Sequence, residues 1–163
     1  MEIVTDGLAF PEGPVAMPDG SVILTEIATG QITRIWPDGR KDVVARPGGG
    51  PNGLAIGPDG KLYCTNNGGF NWNESNGMRA PHGIADDYSG GRIERIDIDT
   101  GKVEVLYKSG DFGCVLRGPN DIVFDAHGGF WFTDHGKMDY AQRCHDIVGI
   151  FYGKTDGSHL EEV

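Results

Sequence analysis

A sixteen-residue pattern occurs three times in this chain: PEGPVAMPDGSVILTE from Pro11, PNGLAIGPDGKLYCTN from Pro51 and PNDIVFDAHGGFWFTD from Pro119. Internal repetition of short alternating strands split by Gly-rich turns requires a fold in which one sheet unit is copied and stacked. The second position of each copy is Glu12, Asn52 or Asn120, an oxygen-bearing side chain where an ordinary alternating strand needs only a filler. The repeat therefore constrains the architecture, and those three positions point to the chemistry.

A weaker repeat follows each strong one. GQITRIWPDG from Gly30 aligns with VGIFYGKTDG from Val148 and, with one extra residue, with GRIERIDIDTG from Gly91. Each unit then holds two hairpins. In the first unit a strand over Gly13 to Met17 turns at Pro18-Asp19-Gly20 and returns over Ser21 to Glu26. Gln31 to Trp36, a second Pro-Asp-Gly turn and an outer strand from Lys41 to Arg46 complete it. Asp-Gly turns adopt positive φ at little cost. Four antiparallel strands joined this way make one blade of a β-propeller. The expected fold is all-β, a partial β-propeller of about three four-stranded blades, at about 8–47, 48–110 and 114–163.

The second unit exceeds the ~40–45 residues of a compact blade. Its excess lies between strands two and three, at Asn67 to Gly91, and a smaller one lies at His135 to Ile147 in the third unit. In an up-and-down blade that connection shares an end with the start of strand one. Both insertions should overhang the face carrying Glu12, Asn52 and Asn120, as lids or binding loops do.

The chain has 27 Gly, 9 Pro and 38% hydrophobic residues in 163, which suits a packed all-β domain. No run is long and apolar enough to span a bilayer, and MEIVTDGLAF lacks the pattern of a secretory signal, so a cytoplasmic location is expected, with no membrane partner. The net charge of −10 argues against nucleic acid as a partner. Cys64, Cys114 and Cys144 form no CxxC pair, and Cys64 occupies the core position of Leu24 and Phe132. The five histidines show no metal spacing. His82 and His135 read as solvated loop histidines, although both insertions could bring them to a ligand.

In a propeller the first strand of each blade lines the central channel, so Glu12, Asn52 and Asn120 converge near its axis. One carboxylate with asparagine carbonyls is a hard donor set, suited to Ca²⁺, Mg²⁺ or Mn²⁺. The alternative is that these residues bond to neighbouring backbone at strand entry. Asp121 is a further candidate of either kind.

FPEGPV at Phe10, GGPNGLAIGPDGKLY at Gly49 and RGPNDIVFDAHGGFWFTD at Arg117 together resemble the senescence-marker-protein/gluconolactonase family. The resemblance implies a six-bladed β-propeller that hydrolyses sugar lactones with one divalent cation in its channel, Ca²⁺ first, with Zn²⁺, Mg²⁺ or Mn²⁺ as alternatives. It assigns Glu12 and Asn120 to the metal, and Asp121, Asn52 and Arg117 to substrate. The family's catalytic aspartate comes from a later blade, which leaves the site incomplete by Val163. The implied partners are a small lactone and either a missing C-terminal half or a second copy to close the ring. A non-catalytic propeller scaffold, or a metal-free relative resembling strictosidine synthase, is the alternative function. Trp72, with Asn71 and Asn73, is expected in the roof, either stacking on a sugar or packing the loop.

Overall fold

In the computed structural model, residues 3–139, 144–146 and 149–163 are described. The start of the weak repeat at Val148, the end of the third-unit insertion at Ile147, and the side chains of Cys144 and His145 lie outside the described residues. The strands in chain order are β1 Pro11–Ala16, β2 Val22–Glu26, β3 Gln31–Ile35, β4 Lys41–Ala45, β5 Pro51–Ile56, β6 Leu62–Asn66, β7 Phe70–Ser75 and β8 Met78–Ile84. They continue as β9 Arg92–Ile96, β10 Val103–Lys108, β11 Pro119–Phe124, β12 Gly129–Asp134, β13 Met138–Asp139, β14 Cys144–His145, β15 Gly149–Lys154 and β16 Leu160–Glu162. Among the described residues no helix is long and apolar enough to cross a membrane.

Three four-stranded antiparallel sheets carry the repeat, in the orders β1-β2-β3-β4, β5-β6-β9-β10 and β11-β12-β15-β16. Turn chemistry sets their hairpins. Asp19 Oδ1 accepts the Ser21 amide at 3.0 Å while Gly20 takes φ 82°, and Asp38, Asp59 and Asp156 accept an amide two residues on in the same way.

The sheets stack through alternate faces. Ile23 and Ile32 of the first sheet pack with Leu54, Leu62, Cys64 and Ile96 of the second. The opposite face of the second sheet, with Tyr63, Ile93 and Tyr107, packs against Phe130, Phe132, Phe151 and Leu160 of the third. β5 lies beside both β1 and β11, so the three first strands stand next to one another.

Each first strand starts at its proline, ahead of the Gly13 start expected for the first. The cause is a β-bulge just after that start: pairing is regular at Pro11↔Glu26 and Glu12↔Thr25, shifts, and resumes at Val15↔Ile23. The same shift separates Pro51 from Leu54 and Pro119 from Ile122. Such bulges re-aim side chains and are common beside functional sites. Close approach of adjacent first strands sets the third position. A Cβ on Gly13 would stand 2.7 Å from Leu54 N, and one on Gly53 would stand 2.8 Å from Asp121 Cα and closer still to Asn120 O.

The insertions are not plain loops. β7 and β8 form a hairpin through Asn76 and Gly77, at φ 52° and 74°, and β13 pairs with β14.

Candidate functional site

The expected site residues sit on the same end of adjacent strands. Glu12 is exposed on β1, Asn52 is buried on β5, and Asn120 is half-buried and Asp121 exposed on β11. A threonine ladder holds these strands side by side. Thr25 Oγ1 lies 3.0 Å from Glu12 O and 2.7 Å from Asn52 O. One blade on, Thr65 Oγ1 accepts the Gly53 amide at 2.8 Å and donates to Asn120 O. The backbone carbonyls of Asn52 and Asn120 are thus used by the fold, while the side chains of Glu12, Asn52, Asn120 and Asp121 make no hydrogen bond to another described residue.

The residue after each threonine anchors the segment that delivers the site residue. Glu26 Oε2 accepts the Ala9 amide at 2.7 Å, and Asn66 Oδ1 accepts those of Gly50 at 2.9 Å and Gly68 at 3.0 Å. Asp134 accepts the amides of Arg117 and Gly118 at 2.7 Å and of Gly136 at 2.8 Å. These three residues end β2, β6 and β12 in the repeat, and each fixes the lead-in two or three residues ahead of Glu12, Asn52 or Asn120. Their oxygens are engaged by these amides and, at Glu26 Oε1, by the side chains of Thr33 and Gln31, so they hold the lead-in segments rather than stand free beside Glu12, Asn52 and Asn120. The signal was visible as the recurring Thr-Glu, Thr-Asn and Thr-Asp endings of the strong repeat.

Arg117 makes its side-chain contacts with Val115 O and Asp146 rather than with Asn120. Its backbone is held by Asp134, and its guanidinium lies 3.7 Å from Asp146 in the third-sheet insertion. Trp72 reaches back from β7 to pack on Phe10, ring centroids 5.1 Å apart, and on Phe70 at 6.0 Å. Phe10 directly precedes Pro11 and Glu12, so the second-sheet insertion does fold over the mouth formed by the first strands. Asn71 ties that hairpin down by donating to Ile84 O and Asp86 Oδ1, both at 2.9 Å, and Asn73 is exposed.

His82 is exposed on β8, but the reading of His135 as a solvated histidine is corrected: it is half-buried and stacked on Phe70, ring centroids 6.4 Å apart and 6° between planes. Burial and the Lys137 charge hold its imidazole below the ordinary value. Lys137 itself is buried, and burial pulls its amine down to about 7 despite Asp134 and Asp146. Nothing in the sequence marks this lysine, since it lies in an insertion outside every repeat. Cys64 is fully buried, as its core position implied, and burial pushes its thiol well up. Cys64 and Cys114 are free thiols.

The donors on the first strands are one carboxylate and two carboxamides, which fit a hard divalent cation in kind. They do not complete a shell, since Ca²⁺ takes about 6–8 oxygens. Among the described residues no three His, Cys, Asp or Glu side chains gather at one point.

Repeated four-stranded sheets with adjacent first strands and polar bulges at one end define a propeller-like repeat protein, with the expected site residues on its first strands. The chain belongs to the SMP-30/gluconolactonase/LRE-like family, whose model matches residues 10–161. It is 27% identical to a gluconolactonase of Zymomonas mobilis over 151 residues, covering 82% of this chain and 35% of that protein. Among solved structures, a gluconolactonase from Xanthomonas campestris superposes with a TM-score of 0.68 at 20% identity, over 98% of this chain and 48% of that one. A PQQ-bound aldose sugar dehydrogenase from Streptomyces coelicolor gives 0.63 at 21% identity, over 96% and 48%. The chain thus spans about a third of the curated relative and about half of each solved structure. The structural likeness carries the fold alone, because the same frame serves unlike chemistries.

Proposed function

We propose that this chain supplies the N-terminal half of a metal-dependent sugar-lactone hydrolase of the gluconolactonase type. The carrying observation is the alignment of Glu12, Asn52 and Asn120 on three neighbouring bulged strands beneath an aromatic hairpin, in a chain of this family. Glu12 and Asn120 would hold one divalent cation, Ca²⁺ first. When bound, such a cation polarises the lactone carbonyl as a Lewis acid and stabilises the tetrahedral oxyanion. Asn52 and Asp121 present an amide and a carboxylate to sugar hydroxyls, and Arg117 adds a guanidinium whose direction Asp146 sets. The general base is an aspartate from sequence outside these 163 residues.

The same reading accounts for the uncovered flank of the third sheet. Trp131 and Ile150 are 39% and 52% exposed, whereas Ile23 and Ile32 of the first sheet and Tyr63 and Ile93 of the second, at the repeat-equivalent positions, are 0% exposed; Val123 beside them is 62% exposed. A further repeat of the same polypeptide covers that face in this reading. A second copy of the chain would instead bring the partner's β1 there, and its Glu12 carboxylate beside Asp121.

The test is calorimetric titration of Ca²⁺ into the chain and into Glu12→Gln, with glucono-1,5-lactone hydrolysis measured on the polypeptide carrying these residues. Loss of even an outer-shell partner of a metal site costs ~10–100-fold in affinity or activity, so Glu12→Gln should lose at least that. Equal Ca²⁺ affinity and equal turnover in the variant would refute the assignment and favour a binding scaffold.

A further inference from the structure

Lys137 joins the two insertions at a point no motif reaches. It is 3% exposed, and its Nζ donates to Gly69 O at 2.8 Å and to Asn67 Oδ1 at 3.2 Å. The same nitrogen lies 3.8 Å from the centroid of the Phe70 ring and 5.2 Å from that of Tyr88. All four partners belong to the second-sheet insertion or its stem, while Lys137 belongs to the third-sheet insertion. Asn67 is fully buried: its Oδ1, which meets the lysine, also accepts the Gly69 amide at 2.9 Å, while its Nδ2 is unpartnered among the described residues. From Phe70 the contacts run through Trp72 to Phe10, next to Glu12.

We propose that Lys137 is a proton-controlled catch that keeps the β7–β8 hairpin closed over the first-strand face and releases it on acidification. Two hydrogen bonds and two aromatic faces hold the amine, but a buried ammonium loses its hydration, and these contacts offset that only in part. Asp134 and Asp146 favour the charged form from the lysine's own side. His135 flanks it on the Phe70 ring, Tyr88 donates to Arg117 O at 2.7 Å, and Arg117 faces Asp146. β8, which packs beside β13, carries Arg79 and His82, with Asp86 and Asp87 in the loop that follows. The balance leaves the closed-state amine at about 7 against an ordinary 10.5.

The sign follows from linkage. Between about pH 7 and 10.5 the amine of the closed form is mostly neutral, while an opened form exposes it to water and takes up a proton. Closure therefore strengthens as pH rises, by about tenfold per unit, and the dependence ends below about 7, where both forms are charged. His135 titrates below that window, and Tyr88, raised to about 12, above it. The catch does not depend on the lactonase reading, since it concerns access to the face whatever binds there.

Amide hydrogen exchange between pH 7.5 and 10, corrected for intrinsic rates, reads the opening of β7 and β8, with β6 amides as the global control. The native chain should show an opening constant for the hairpin that falls about tenfold per pH unit, with no matching change in β6. Lys137→Met, which keeps the apolar stem, should show a flat profile. A flat native profile, or an equal slope in the variant, overturns the proposal. Should the variant not fold, NMR titration of the Lys137 Nζ in the native chain decides: a midpoint near 7 supports the catch, and one near 10.5 overturns it.

Discussion

At the residue scale, Glu26 and Gly53 show how little freedom the repeat positions have. Glu26 is buried, which alone would raise its carboxyl, but hydrogen bonds from Thr33 Oγ1 at 2.6 Å, the Ala9 amide at 2.7 Å and Gln31 Nε2 at 2.7 Å outweigh burial and hold it below the ordinary 4.5. A depressed carboxylate contributes stability that is present above its unfolded pKa and is lost as pH falls through its folded pKa. Unfolding in urea should therefore show a loss of stability below about pH 4.5 that is shallower in Glu26→Gln, and identical acid limbs would refute the role. Gly53 is constrained by space. A Cβ there would press on the backbone of Asn120 and Asp121, so Gly53→Ala should destabilise by about 1–3 kcal/mol, visible as a lower thermal midpoint. The sequence aligned Gly13 with Gly53 but not the reason, which is the approach of the next sheet's first strand. Asp121 stands at the same position in the third copy, where among the described residues no further sheet's first strand follows β11, and its carboxylate is exposed.

At the scale of the elements, the four-stranded units were legible because alternation, Asp-Gly turns and the second repeat all repeat in phase. β2, β3, β6 and β9 fall within a residue or so of where the pattern puts them. The bulges were not legible, since a shift of pairing leaves no composition mark, and they are what turns Glu12, Asn52 and Asn120 out of simple alternation. The second insertion carried a readable signal in Asn76-Gly77 between alternating residues, the strongest short hairpin cue. Both residues take left-handed φ, so Gly77→Val, at φ 74°, should cost about 1–2 kcal/mol. That strain is confined to the hairpin, and proteolysis between residues 70 and 84 should accelerate ~5–30-fold while the midpoint of global unfolding stays put. A fall in the global midpoint instead would mean that the hairpin is part of the cooperative core. Lys137 lay beyond sequence reading altogether, because its burial comes from two insertions meeting, and neither insertion belongs to the repeat.

At the scale of the molecule, stacking of copies fixes what one face must do. Thr25 and Thr65 each reach an Asn carbonyl on the next sheet, and the equivalent Thr133, which accepts the Asp121 amide at 3.2 Å, is exposed with no next sheet among the described residues. Beside it Ile122, Val123, Trp131 and Ile150 line a shallow apolar hollow. Repeat equivalence made this face predictable from sequence alone, once Trp131 is aligned with Ile23 and Tyr63, whereas its exposure is a property of the folded chain. Contiguous apolar surface of this kind promotes association, and burying a large apolar side chain is worth ~1.5–3 kcal/mol. The 163-residue chain on its own should therefore self-associate with rising concentration in sedimentation velocity. Val123→Thr with Ile150→Thr should shift that equilibrium towards monomer by at least about tenfold, with the fluorescence of Trp131 moving to the red as the face is left to water. Association that persists unchanged in the double variant would place the sticky surface elsewhere and remove the argument that the third sheet is built to receive another.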